Sequence, residues 1–265
     1  MFERSLTIGR FFRTIYEYRA FLQQSVARDL KRRYKRSVLG YCWSMLHPLL
    51  MMCILALVFS YLLQAQAQDY AVFLFIGMLP WQVFQGTVLG CMGIISNSLK
   101  LMEQVPVPKF VFPVSIGVSN MVNMLLSVVP LLLLMLLLRH GVPWTVVGLP
   151  LVLVPLFMAT MGVALLVATA NVFFDDTHHL TQILLQALYF LSPILYGPEH
   201  LPPWLVRYLK INPMFGIIES LRDMFYEGRF PDAAEYGLNF LICTLCLMLG
   251  LWAFHKAEDK FVYFV

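Results

Sequence analysis

Residues 111–138 read VFPVSIGVSNMVNMLLSVVPLLLLMLLL, without one Asp, Glu, Lys or Arg. A helix rises about 1.5 Å per residue, and about 20 apolar residues cross the roughly 30 Å hydrocarbon core of a bilayer. This stretch is long enough to span. Five more stretches share its character: 45–64, 71–95, 146–172, 180–196 and 237–254, again without a formal charge. The runs are continuous and lack the alternation of about 10 residues that marks a barrel strand. Helices also satisfy every backbone group internally, as lipid demands. Outside these runs the composition agrees. Residues of the set AVILMFWYC make up 60% of the 265, and DEKR only 13%, against about 45–50% and about 25% in soluble domains. The reading is an all-α integral membrane protein, a single transmembrane domain over 1–265 with six transmembrane helices. It excludes a soluble globule, a disordered chain and a disulfide scaffold. Pro130 and Pro155 fall inside spans and predict kinks, while the fifth stretch has only 17 residues and carries Pro193.

Lys and Arg set the orientation by the positive-inside rule. Ten lie within residues 1–36, and Lys100, Lys109, Lys256 and Lys260 share their side. Arg139, Arg207, Lys210, Arg222 and Arg229 lie on the other. Both termini are therefore expected in the cytoplasm of a multi-pass protein. The charged N-terminus lacks the short apolar core of a signal peptide.

Residues 10–36 read as an amphipathic interface helix. Phe11, Ile15, Tyr18, Leu22, Val26, Leu30 and Tyr34 recur every three or four positions. Such a helix is expected to lie in the interfacial plane, its basic side toward anionic headgroups. It ends in Arg32-Arg33-Tyr34-Lys35-Arg36, a dense positive field at the entrance to the first span. A topology anchor is the plain reading. A receiving site for a phosphate-bearing substrate, on Arg33, Lys35 and Arg36, is the sharper one. Residues 98–104, with Lys100, Leu101, Met102 and Glu103, fit about two helical turns stopped by Pro106 and Pro108. The loop is longer than a connector needs and reads as a docking element. The long loop 197–235 holds two short amphipathic segments split at Asn212-Pro213. They are too short to span, so they are read as short re-entrant helices before the last span. There Trp204, Tyr208, Asn212 and Pro213 either cap the interface or gate an exit.

No catalytic constellation emerges. Asp175-Asp176 and His178-His179 superficially resemble a metal site, but their spacing matches no standard zinc pattern, and a solvated turn is the better reading. Cys243-x-x-Cys246 lies inside the last span and reads as apolar helix surface. No glycine is followed by lysine, so a phosphate-cradling G-x-x-x-x-G-K-[ST] loop is absent. Ion-coupled carriers keep ionisable residues in their spans; these spans hold amides and hydroxyls instead. Asn120, Asn123, Ser127 and Asn171 read as helix–helix contacts, as does Gly86-x-x-x-Gly90. Aromatics gather at span ends as an interfacial belt, but Tyr189 and Phe190 sit within a span beside Gln186 and suit a sugar path. A channel-like body without a motor or coupling charge takes its energy from another chain.

The run Arg33-Tyr34-Lys35-Arg36-Ser37-Val38-Leu39-Gly40-Tyr41-Cys42-Trp43-Ser44-Met45-Leu46-His47-Pro48 resembles the start of the first span in the membrane subunits of ATP-binding-cassette polysaccharide exporters. These move O-antigen, teichoic acid and related lipid-linked glycans. Supporting matches follow in the family's order: Gly77-x-x-Pro80-Trp81-x-x-Phe84, Pro108-Lys109-x-x-Phe112-Pro113, Asn171-Val172-Phe173-Phe174-x-Asp176, Ser192-Pro193-Ile194-x-Tyr196 and Asn212-Pro213. The resemblance implies a homodimer in the bacterial inner membrane with two copies of a nucleotide-binding ATPase subunit. ATP and Mg would be held by that partner, with no cofactor in this chain and no nucleic acid bound. It makes 98–104 a coupling helix and 197–235 a periplasmic gate region. It places Trp43, Gln186, Tyr189, Phe190 and Tyr196 along the translocation path, and Arg33 and Lys35 near the phosphate of a lipid-linked glycan. Family members often carry Arg where this chain has Asp175, which speaks against an anion site at that corner. Two other readings stay open: an ATP-driven exporter of a small lipophile, of drug or haem type, and a membrane scaffold or glycan-processing enzyme.

Overall fold

The computed structural model describes residues 8–34, 42–63, 67–95, 107–138 and 141–261. Among them every regular element is helical. In chain order these are α1 (Ile8–Glu17), α2 (Arg19–Tyr34), α3 (Cys42–Leu63), α4 (Ala67–Cys91), α5 (Val111–Leu137), α6 (Leu149–Phe173), α7 (Thr177–Leu191), α8 (Pro203–Leu209), α9 (Pro213–Phe225) and α10 (Ala233–Ala257). A short 3₁₀ turn, Trp144–Gly148, leads into α6. Four described helical stretches are long and apolar enough to cross a membrane: Asp69–Cys91, Val111–Leu137, Trp144–Phe173 and Ala233–Lys260. Within α3 the described apolar stretch is shorter, Met45–Phe59.

The expected fifth span, 180–196, is the clearest departure. Its helix begins earlier and ends at Leu191, and Ser192 turns extended with φ −91° and ψ 144°. Proline at 193 disfavours the helical conformation of the residue before it and has no N–H to continue the ladder. The helix therefore ends before Pro193. At about 1.5 Å per residue, 15 residues fall short of a roughly 30 Å hydrocarbon core. Pro130 and Pro155 do lie inside helices, α5 and α6.

The N-terminal amphipathic segment is two helices bent at Tyr18. The backbone bonds Tyr18 N→Thr14 O (2.9 Å) and Leu22 N→Tyr18 O (3.0 Å) carry through the bend. Its apolar stripe meets protein, and Phe11, Leu22 and Val26 are buried. The Phe11 ring lies 5.4 Å from Phe110 and Phe21 lies 5.6 Å from Phe112, so the segment clasps the start of α5. At the same end Phe173 and Phe254 close on Phe261, and Lys109 donates to the Glu258 carbonyl at 2.7 Å. The opposite end gathers the start of α4, the turn before α6, and α8 and α9. There Trp144 meets Phe230 at 5.1 Å, and Tyr236 Oη donates to Leu151 O at 2.8 Å.

The core runs between these ends around α4 and α6. Leu156, Ala159, Met161, Ala164 and Leu165 of α6 are fully buried. Helices α6 and α10 touch backbone to backbone. A Cβ on Gly162 would stand 2.4 Å from the Cys246 carbonyl carbon, and one on Gly250 would stand 2.3 Å from Gly162 O. Small residues permit this approach, and the close packing it gives replaces the hydrophobic drive that lipid lacks. Gly90 of the G-x-x-x-G pair serves α4 against α5: a Cβ there would sit 3.0 Å from Ile116.

Candidate functional site

Ending α7 at Leu191 leaves the chain unwound from Ser192 toward Gly197, and its carbonyls need partners. Two side chains from two other helices supply them, and a third, Asn212, binds the Ser192 hydroxyl. Tyr70 of α4 donates to Leu195 O at 2.6 Å. Arg222 of α9 donates through Nη2 to Ile194 O at 3.0 Å and through Nη1 to Tyr196 O at 3.5 Å. Asn212 caps α9 by accepting from Met214 N at 3.0 Å, and its amide donates to Ser192 Oγ at 2.9 Å. The loop is thus tied to the N-terminus of α9, to its third turn and to α4.

Arg222 is the centre of this node and only 4% exposed. Its guanidinium lies 3.5 Å from the centroid of the Phe73 ring and pairs with Glu219 at 3.1 Å. Burial pushes its pKa down to about 10, and the neighbouring Glu219 opposes the fall. It therefore stays charged at neutral pH. Burial raises the Glu219 carboxyl, and Arg222 offsets part of that rise. Gly77 makes room, since a Cβ there would meet Nη2 at 3.1 Å and Ile194 Cα at 3.3 Å. Sequence reasoning counted Arg222 only as a loop charge. The missed signal is its register: it follows Ile218 and Leu221 and precedes Phe225, all buried on one stripe of α9.

Helix α9 departs from a surface-lying segment. Nine of its positions, including Met214, Ile217, Ile218 and Met224, are buried among α4, α6 and α10. Asn239 of α10 reaches it where Gly216 lacks a side chain: a Cβ at Gly216 would stand 2.6 Å from the amide carbon. With its amide turned to suit, Asn239 donates to Pro213 O at 3.0 Å. Trp204 and Tyr208 of α8 are exposed.

The expected path residues divide into two groups. Tyr189 and Phe190 sit edge to face at 5.5 Å, Tyr196 Oη donates to Phe190 O at 2.7 Å, and Gln186 is exposed one turn earlier. Tyr189 leans on Trp81 of α4 at 5.5 Å. Trp43 lies elsewhere, at a cavity of about 360 Å³ between α3, α4 and α5 whose lining mixes apolar side chains with amides. A second cavity, about 470 Å³, lies among α8, α9 and α10, where Lys210 pairs with Glu235 at 2.6 Å. Asp175, Asp176, His178 and His179 are exposed at the turn opening α7, and His178 meets the Gln182 amide at 3.0 Å. Lys35, Arg36 and segment 98–104, with Lys100, Leu101, Met102 and Glu103, lie outside the described residues, as does the Arg33 side chain.

Comparison with known proteins bears on what this arrangement serves. The family described as ABC-2 type transporter matches residues 21–226, which takes in both the N-terminal helix α2 and the Arg222 node. The O-antigen export system permease protein RfbA of Myxococcus xanthus is 34% identical over 254 residues, covering 95% of this chain and 98% of its own. A protein of the same name from Klebsiella pneumoniae is 29% identical over 88% of this chain and 90% of its own. The polysialic acid transport protein KpsM of Escherichia coli is 25% identical over 88% and 91%.

Proposed function

The chain belongs to the ABC-2 type transporter family, and on that premise we propose that it is the membrane-spanning subunit of an ATP-driven exporter of lipid-linked polysaccharide. The observation that carries the reading is the 34% identity to an O-antigen export permease along nearly the whole of both chains. The polysialic acid relative extends the likeness to a second polysaccharide and favours a glycan cargo over a small lipophile of drug or haem type.

The finer reading has six spans per subunit, with α3, and α7 extended by the unwound segment after it, joining the four long helices, and two copies of the chain around the path. Two copies of an ATPase subunit dock from the cytoplasm through 98–104, where Lys100, Leu101, Met102 and Glu103 form the coupling surface. ATP and Mg stay on those subunits. Arg33, Lys35 and Arg36 receive the phosphate of the lipid carrier. The clustering of α1, α2, Lys109 and Phe261 at one end supports placing both termini on the cytoplasmic side. The node gives the gate reading a physical basis. Force on α9 reaches α7 through Arg222 and Asn212, since both hold the unwound segment after it.

Vesicles carrying this chain with its ATPase subunit test the reading. ATP should move a lipid-linked glycan across the bilayer, and an ATPase subunit unable to hydrolyse ATP should stop it. Transport of a compact lipophile with no glycan movement overturns the cargo.

A further inference from the structure

The cavity between α3, α4 and α5 is lined by side chains that are expensive to hold at membrane depth. Gln82 and Gln85 come from α4, and Asn120, Asn123 and Ser127 from α5. Trp43 and His47 of α3 stand at its margin, both exposed. Asn120 spends one amide hydrogen on Thr87 Oγ1 at 3.0 Å, and Gln85 accepts from Trp81 Nε1 at 3.1 Å. Gln82 and His47 make no hydrogen bond among the described residues.

An amide facing hydrocarbon without a partner costs several kcal/mol, so hydrogen-bonding matter belongs here. Its chemistry is constrained. Among the described residues no Asp, Glu, Lys or Arg lines the space, so neither a phosphate nor a cation is matched. Primary amides offer donors and an acceptor together, which is what a hydroxyl needs on its two sides. The exposed indole of Trp43, 43% accessible, gives an apolar face for C–H groups. The volume of about 360 Å³ lies within the range of small-ligand sites.

We infer that this cavity is a saccharide subsite that holds an uncharged, hydroxyl-rich stretch of the glycan through Gln82 and His47, on a different flank of α4 from the Tyr189 and Phe190 surface. The inference rests on the export reading above and adds a site on the other flank of α4.

The test places a benzophenone amino acid at position 82, and separately at 47, in cells that make the glycan and the complete transporter. Val129 is the control, because it is exposed on the opposite face of α5. Irradiation should give a slow-migrating adduct at 82 and 47 that periodate, which cleaves vicinal diols, renders stainable. Position 129 should give none. Equal adducts at 129, a phospholipid-sized adduct at 82, or no sugar adduct at either cavity position from a chain at normal membrane level would overturn the assignment. A chain with Gln82→Leu should export at least tenfold less glycan while its membrane level holds, and unchanged export would contradict the site even if the probe perturbs folding. Removing the chain separates the two claims. If surface glycan persists without it, the export reading fails; if display depends on the chain but the adducts are missing, only the subsite fails.

Discussion

Helices α6 and α7 follow one another in the chain and live in opposite environments. On α6, Met158, Ala159, Met161, Ala164 and Leu165 are sealed in the core. Only Thr181 and Leu185 of α7 are buried, while Ile183 and Leu184 stand more than 60% accessible. Helix α6 is fixed by shape, through backbone contact at Gly162 and Gly250. Helix α7 is fixed by its tail, through hydrogen bonds from Tyr70, Arg222 and Asn212 to the unwound segment. A helix held at one end by polar contacts can tilt with the element that supplies them. A helix locked along its length cannot. The pair thus contrasts a helix locked along its length with one tied mainly at its end.

The most severe way to break the contrast is Gly162→Leu. Its side chain has nowhere to go but into the Cys246 backbone, so no monodisperse protein should survive detergent extraction and size-exclusion chromatography. A well-behaved variant would mean that α6 is not locked. Next comes Arg222→Met, which strands Glu219 and two carbonyls. Breaking one side of a buried pair costs about 3–5 kcal/mol, and unfolding by denaturant should show a loss of that order. Adding Glu219→Gln should recover part of it, and no recovery would place the cost elsewhere. Tyr70→Phe removes one donor from Leu195 O and should cost about 1–3 kcal/mol in the same assay. Smallest is Ile183→Ala, which should alter the isolated subunit's stability by no more than about 0.5 kcal/mol. If it abolishes glycan display all the same, the exposed face of α7 is a working surface.

The sequence was most informative where one residue type decides alone. Charge-free runs marked the long helices, and the Phe11, Leu22 and Val26 spacing marked the N-terminal pair. Pro193 marked the weakness of the fifth stretch but not the unwound segment after α7, because local sequence does not say whether the chain beyond a proline finds partners to stay unwound. Those partners lie 125 and 28 residues away, at Tyr70 and Arg222. Arg222 was missed because an arginine counts as a surface charge until its stripe is seen to face protein. Gly162 and Gly250 were missed because their meaning is mutual, and neither has a glycine partner at i+4. Of the site residues, sequence spacing joined Tyr189 to Phe190, but only packing moved Trp43 to a different flank of α4.

Locating the cell's glycan after depletion of this chain tests the whole account most directly. The account predicts that finished, lipid-linked polysaccharide accumulates on the cytoplasmic side and vanishes from the surface, and that a restored chain reverses both. Surface polysaccharide at its ordinary level in depleted cells would contradict it.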